Sequence, residues 1–233
     1  MLFKAIHKLE GDHFEMKKYV LALGLSLLST AVCLAQTTDI KKGEVFVGYS
    51  NGQIDTGVDS GSSINDFFRD RENFNGFEVS GVYNLSRYFG VKGDFSAHFN
   101  STRFNETIPG TPTVDISVKN SNSLYNFLGG VQVKDNSTEG TWKPFAHALV
   151  GAAHARSKFT ELTCTVAGTG TPCPTGFTDE TFSDTGFAGA FGGGLDIKVS
   201  DNFQIRAIQV DWNPVRMGGF TNNNVRIGAG IVF

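Results

Sequence analysis

The chain has 233 residues, enough for one barrel-sized domain, and its formal net charge of −3 gives no basic surface for nucleic acid. Glycine (28) and phenylalanine (21) are frequent, charged residues make up 18% and mean hydropathy is −0.12, which excludes a helical membrane protein. A β-barrel is not excluded, because only alternate residues of its strands meet lipid.

The first patterned segment is N-terminal. Met16-Lys17-Lys18 supplies a positive start, Val20 to Leu28 an apolar core, and Ser29 to Ala35 small residues ahead of Gln36. That order predicts a cleaved secretory signal peptide over residues 1–35, with Met16 as the true start because residues 1–15 carry no pattern. A helical anchor is the rival reading. The run from Tyr19 to Ala35 carries Ser26, Ser29 and Thr30 and is at or below the ~17–25 residues needed to span. Acylation at Cys33 is disfavoured by the bulky Val32 before it. The mature domain is therefore expected over 36–233.

Eight alternating segments follow, at Glu44–Asn51, Asn75–Leu85, Tyr88–Asn100, Ser123–Lys134, Trp142–Arg156, Thr185–Val199, Asn202–Trp212 and Asn224–Phe233. In the third, Phe89, Val91, Gly93, Phe95, Ala97 and Phe99 alternate with Gly90, Lys92, Asp94, Ser96 and His98. Such a strand separates an apolar environment from a wet one. The links alternate in length: 86–87, 135–141 and 200–201 are short, whereas 52–74, 101–122, 157–184 and 213–223 are long and polar. This predicts an all-β fold, an eight-stranded antiparallel transmembrane β-barrel with short periplasmic turns and long extracellular loops. A soluble lipocalin-like barrel would put the apolar row inside, and so many phenylalanines would not fit a small lumen. Tyr88, Phe89, Trp142 and Trp212, near strand ends, are expected at the membrane interfaces.

Three stretches, GFEVSGVYNLSRYFGVKGDFSAHF, KPFAHALVGAAHAR and the closing VRIGAGIVF, resemble the OmpA-type eight-stranded outer-membrane barrel family over Gly43 to Phe233. The resemblance implies the outer membrane of a Gram-negative bacterium and a monomer bedded in outer-membrane lipid and lipopolysaccharide. It further implies periplasmic chaperones and the barrel-assembly machinery as partners, with Val225, Ile227, Ala229, Ile231 and the terminal aromatic Phe233 as the assembly signal. Because nothing follows Phe233, the peptidoglycan-binding domain of two-domain members is not expected.

Glu78, Lys92, Asp94, His98, Gln132, Asp196, Lys198, Arg206 and Arg226 fall on the inward rows. A Lys or Arg on the lipid face would cost ~2–4 kcal/mol near the midplane, which argues that they point inward. They read either as a mutually paired network filling a narrow lumen or as a gated pore in which a pair such as Lys92 with Asp94 or Asp196 opens. The pairing stays open without the register. His147 and His154 have opposite parity in one strand, so their facing is open too, and a structural role is expected of both. Asp94, Ser96 and His98 share a face as the elements of a catalytic relay would, but polar rows hold such triplets by default and no HxSNG-like signature accompanies them. No enzyme activity, cofactor or metal is expected. Cys164 and Cys173, an even pair in an exported chain with no nearby histidine, predict a disulfide rather than a metal site. The first long loop mixes Gly/Ser with Phe67, Phe68, Arg69 and Arg71, suited to adhesion or recognition of a host or cell-surface ligand, or simply to shielding the barrel. The expected function is thus structural and surface-interacting, with a low-conductance porin-like channel as first alternative and a lipid-modifying enzyme as a distant one.

Overall fold

The computed structural model describes residues 40–55, 71–110, 112–172 and 179–233. The signal-peptide segment, Phe67, Phe68, Arg69 and Cys173 lie outside the described residues. Eight antiparallel strands run in sequence order: β1 (Gly43–Asp55), β2 (Arg71–Asn84), β3 (Phe89–Ile108), β4 (Val114–Lys134), β5 (Trp142–Val166), β6 (Glu180–Ser200), β7 (Phe203–Met217) and β8 (Phe220–Val232). Each pairs with the next, and β8 pairs with β1 to close the barrel. At the seam Val45 and Phe233 exchange both backbone hydrogen bonds, at 3.1 and 2.9 Å. Closure leaves no strand edge, as a lipid-facing sheet requires.

Alternation decides the facing. Val45, Val47 and Tyr49 of β1 are exposed on the outside, while Glu44, Phe46 and Ser50 are buried inside. Around the barrel the outward rows stay apolar up to a ring of Tyr49, Phe77, Phe99, Tyr125, His154, Phe187, Trp212 and Val225. Toward the loop end, the next outward residues are Asn51, Asn75, Ser101, Ser123, Arg156, Thr185, Pro214 and Asn223. An apolar belt that runs around all eight strands is the surface of a membrane-spanning barrel. Tyr88, Phe89 and Trp142 stand exposed at its turn end and Trp212 at its upper edge, the two interfaces expected of them.

Much of what the sequence predicts as loop is strand. β3 and β4 continue to Ile108 and Val114, and β5 and β6 reach Val166 and Glu180. Only Gly218-Gly219, both with positive φ, separates β7 from β8. These extensions rise beyond the belt, where no face needs to be apolar, so the hydrophobic period vanishes while the backbone ladder persists. A bulge between Ser117 and Lys119 interrupts that ladder and leaves Glu161 at φ 54°.

The turn end is laced together. Lys41 N donates to the Asn136 carbonyl (3.1 Å) and Asn84 N to that of Lys42 (2.8 Å), tying the residues ahead of β1 to two turns. Arg87 pairs with Asp135 at 3.1 Å, and that hydrogen bond holds the Asp135 carboxyl down to about 2. Lys143 Nζ donates to the carbonyls of Asp135, Ser137 and Glu139, satisfying the β4–β5 turn from below.

Candidate functional site

The lumen is filled by two linked clusters of charge. Nearest the turn end, Lys134 Nζ lies 2.8 Å from both Glu44 Oε2 and Asp196 Oδ2 and donates to Gln204 Oε1 at 3.0 Å. Arg206 binds Asp196 through Nε (2.8 Å) and Nη2 (3.1 Å). Its guanidinium lies between the rings of Phe46 and Phe145, 4.3 and 4.1 Å from their centroids. Gln209 joins the clusters, accepting from Arg206 Nη1 at 2.7 Å and donating to both oxygens of Glu78 and to Asp211.

At mid-height Arg226 holds three carboxylates. Nη1 reaches Asp94 at 2.8 Å, Nη2 reaches Asp211 at 2.7 Å, and Nε lies 3.6 Å from Glu78. Lys92 sits 3.6 Å from Glu78 and 3.8 Å from Asp94, and its Nζ faces His147 Nδ1 at 3.3 Å. An ammonium can only donate, so this contact puts the ring proton of His147 on Nε2, 2.9 Å from Asp211 Oδ1. All these side chains are removed from solvent. Beside this network and toward the loop end, Leu124, Leu128, Leu149, Ala153, Ala188, Ala190 and Val215 form an apolar plug.

Room for this comes from β6, whose inner row Gly186, Ala188, Ala190, Gly192 and Gly194 is small throughout, so arginines and aromatics of the facing walls can cross the barrel. Gly192 is a close approach: a Cβ there would collide with the Val210 carbonyl and the Asp211 carboxylate.

Of the residues singled out from the sequence, Glu78, Lys92, Asp94, Asp196, Arg206 and Arg226 meet in these two clusters. Gln132 is buried, with no hydrogen-bond partner for its amide among the described residues. Lys198 must be corrected. Its parity is inward and it is still laddered to Gln204 of β7, but it stands at the partly exposed turn end, where Nζ bonds Asp201 (2.7 Å) instead of joining the buried clusters. The relay of Asp94, Ser96 and His98 is not assembled. Asp94 is engaged by Arg226, Ser96 Oγ receives Arg226 (3.1 Å) and Asn126 (3.2 Å), and His98 Nε2 faces Ser50 Oγ at 2.9 Å. His147 points inward and His154 outward, where it meets Thr185 Oγ1 at 2.8 Å and stacks on Tyr125. Val225, Ile227, Ala229 and Ile231 form the outward row of β8, and Phe233, just past its end, is edge-on to Phe203 at 6.0 Å.

Sequence reasoning missed Glu44, Lys134, Gln209 and Asp211. The first two share parity with Phe46 and Gln132 and were legible at the strand ends. The other two are hidden by a bulge between Arg206 and Gln209, which turns two successive residues, Ala207 and Ile208, outward.

Above the belt the strand extensions carry polar ladders. Glu161 takes both Arg103 and Lys119 (3.2 Å), and Ser157 Oγ donates to Asn120 and Asn122. A cup of about 320 Å³ opens at this end over Ile54, Phe74, Leu124 and Ala155.

The outer membrane protein beta-barrel domain model matches residues 21–233. Among solved structures, Ail, the attachment invasion locus protein of Yersinia pestis, is 19% identical with a TM-score of 0.48, over 83% of this chain and 100% of that one. Neisserial surface protein A is 12% identical with a TM-score of 0.40, over 83% and 97%. The N-terminal β-barrel domain of Pseudomonas aeruginosa OprF is 8% identical with a TM-score of 0.38, over 84% and 100%. No curated protein matches the chain in sequence.

Proposed function

The chain belongs to the outer membrane protein beta-barrel family and resides in the bacterial outer membrane, and from that premise we propose that its work is done on the outside of a sealed barrel. The lumen is filled by paired buried charges, and the strands that rise above the belt present its surface to the surroundings. One observation carries this reading. Arg226 and Lys134 are matched to buried carboxylates across the bore, and Lys92 and Arg206 to buried carboxylates of their own or the adjacent strand, so an ion would have to break several buried pairs to pass. Breaking one such pair by removing a partner costs ~3–5 kcal/mol. The role is then membrane integrity together with surface interaction, in which the loop-end extensions meet a host or cell-surface ligand.

Single-channel recording on the protein refolded into planar bilayers tests it. Folding is first verified by the heat-dependent shift in gel mobility. A folded, silent barrel is expected. Discrete conductance steps that change when Lys92 or Arg226 is neutralised would establish the alternative, a low-conductance channel.

No catalytic role is part of this reading. His98 faces Ser50, and its Nδ1 has no hydrogen-bond partner among the described residues, so no carboxylate orients the ring. Lipid modification that depends on His98 would reverse that. Other features stand as proposals. Residues 1–35 are removed on export, checked by N-terminal sequencing of the mature protein. Cys164 bonds Cys173, supported by the bonded state of Cys164 and by the bridge of Thr165 to Pro172, which brings the two ends of that segment together; a mobility change on reduction checks it. Phe233 serves the assembly machinery, and normal assembly of a chain lacking it would count against this.

A further inference from the structure

We propose that the cup at the loop end of the barrel binds a cationic peptide segment, which lowers one apolar side chain onto the floor and sets a lysine or arginine on each side against carboxylates of the rim. This deepens the reading that the loop end is the working surface, and rests on it.

The floor is apolar and open. Ile54, Phe74, Leu124 and Ala155 face into it from β1, β2, β4 and β5. Leu124 belongs to the apolar plug beneath. The polar lining residues Asn122 and Ser157 satisfy each other at 2.7 Å. Phe182 of β6 forms a wall, edge-on to Phe159 at 6.2 Å and still 58% exposed. An aromatic ring open to water above such a floor gains by being covered. At about 320 Å³ the cup is at the small end of ligand pockets. It has room for a leucine or phenylalanine side chain, and the rest of a ligand must lie across the mouth.

Parity separates the charges around it. Glu72 faces inward opposite Ile54, Asp184 lines the cup opposite Ala155, and Glu180 is the next inward residue above Phe182, opposite Phe159. All three are exposed. None has an ion pair among the described residues, and there Asp184 accepts only the Thr185 backbone N–H, at 2.7 Å. The cations of this end, Arg71, Arg103, Lys119, Arg156, Lys158 and Arg216, all have outward parity. Arg156 borders the cup by its place on β5, between the inward Ala155 and Ser157, and its side chain alternates to the outside. Carboxylates over an apolar floor, with the cations turned away, attract a cation that carries an apolar group.

Geometry chooses a peptide over a small amine. Four strands separate β2 from β6 either way round the closed barrel, so Glu72 and Asp184 stand on opposite walls. Opposite walls of an eight-stranded barrel are on the order of 15 Å apart, beyond the reach of one ammonium. In an extended segment residues i−2, i and i+2 share a face, and i−2 to i+2 spans ~13 Å. With an apolar residue at i and a lysine or arginine at i−2 and i+2, that face gives the floor a side chain and each wall a cation.

The probe is a blocked peptide of sequence SKSFSKS carrying an uncharged fluorophore. It is titrated against the full barrel in nanodiscs of zwitterionic phospholipid and followed by anisotropy, with empty nanodiscs as blank. Saturable binding that weakens as salt is raised is expected. Glu72→Gln with Asp184→Asn should weaken it roughly threefold to thirtyfold, whereas the outward pair Asp115→Asn with Glu161→Gln, an equal change of charge, should leave it as in the wild type. Ala155→Trp, which fills the cup, should abolish it, as should replacing the peptide's phenylalanine with serine or its lysines with glutamate. Folding of every variant is read by heat-dependent mobility, and Phe182→Ser, which should also weaken binding, replaces Ala155→Trp if that chain does not fold. No saturable binding by the folded wild type, or equal binding by the Glu72 and Asp184 variant, overturns the proposal. So does phenethylamine that binds as tightly as the peptide, which would make the cup a site for small amines. Failure to bind by a barrel that is silent in planar bilayers overturns this inference alone, whereas conductance steps overturn the sealed-barrel reading beneath it.

Discussion

Replacing Arg226 with glutamine is expected to destabilise the barrel by at least ~3–5 kcal/mol, the cost of leaving buried charge without its partner. Arg226 is 1% exposed and stands among Asp94, Asp211 and Glu78. Removing its charge leaves Lys92 as the one full cation, among the described residues, within reach of Glu78 and Asp94, at 3.6 and 3.8 Å, and leaves Asp211 with His147 and Gln209. The urea midpoint of the heat-modifiable form measures the loss. Lysine at the same position should recover part of it, since an ammonium keeps the charge but cannot fork toward two carboxylates at once. A triple change, Arg226→Met with Asp94→Asn and Asp211→Asn, should be milder than Arg226→Gln alone, because it removes the orphaned charges together with their partner. An Arg226→Gln barrel as resistant to urea as the wild type would show that the network is not what holds the lumen.

How much of this was legible follows from where side chains must be apolar. Within the belt every outward position meets lipid, so Phe89 to Phe99 and Val225 to Phe233 spell out the period, and strand number and order could be read directly, as could facing except on β5, where both parities are mostly apolar, and above the bulge of β7. Beyond the belt that constraint ends. Ser101 to Ile108 and Val114 to Asn122 are as much strand as the segments below them, but Ser, Thr, Asn and Lys on both faces carry no alternation to read. In the lumen, residue types were legible and partners were not. Arg226 meets Asp94 from across the bore, and no spacing within one strand encodes that contact. Phe46 and Phe145 carry a different lesson. They lie inside a polar lumen, where an aromatic is unexpected, because the flat faces of the Arg206 guanidinium need apolar surfaces to stack on.

Strand β7 supplies the other large effect, because its bulge is what reconciles two inward rows of opposite parity. Gln204 and Arg206 face inward below the bulge, and Gln209, Asp211 and Asn213 face inward above it, while Ile205, Ile208, Val210 and Trp212 face lipid. Arg206 is opposite Gly230 and Gln209 opposite Gly228, so β7 carries one residue more than β8 across this interval. Deleting Ala207 should therefore be tolerated. Ile208 would follow Arg206 directly, strict alternation would resume, and every side chain above would keep its face. Inserting one alanine between Gln209 and Val210 should have the opposite result. Everything from Val210 to Met217 would then change face. Asp211 would leave Arg226 for lipid, at ~3–5 kcal/mol for the broken buried pair, and Trp212 would be driven into a bore already filled by His147 and Gln209. Against a typical stability of ~5–15 kcal/mol, that loss together with the clash leaves no margin for assembly. The two variants differ from wild type by one residue each, in the same strand and in opposite directions. Fractionating cells that express them and scoring the heat-modifiable form in the outer membrane separates the outcomes. The deletion should insert and the insertion should not. Insertion of both would mean that β7 slides in register without consequence, and that the inward row above the bulge has no fixed partners.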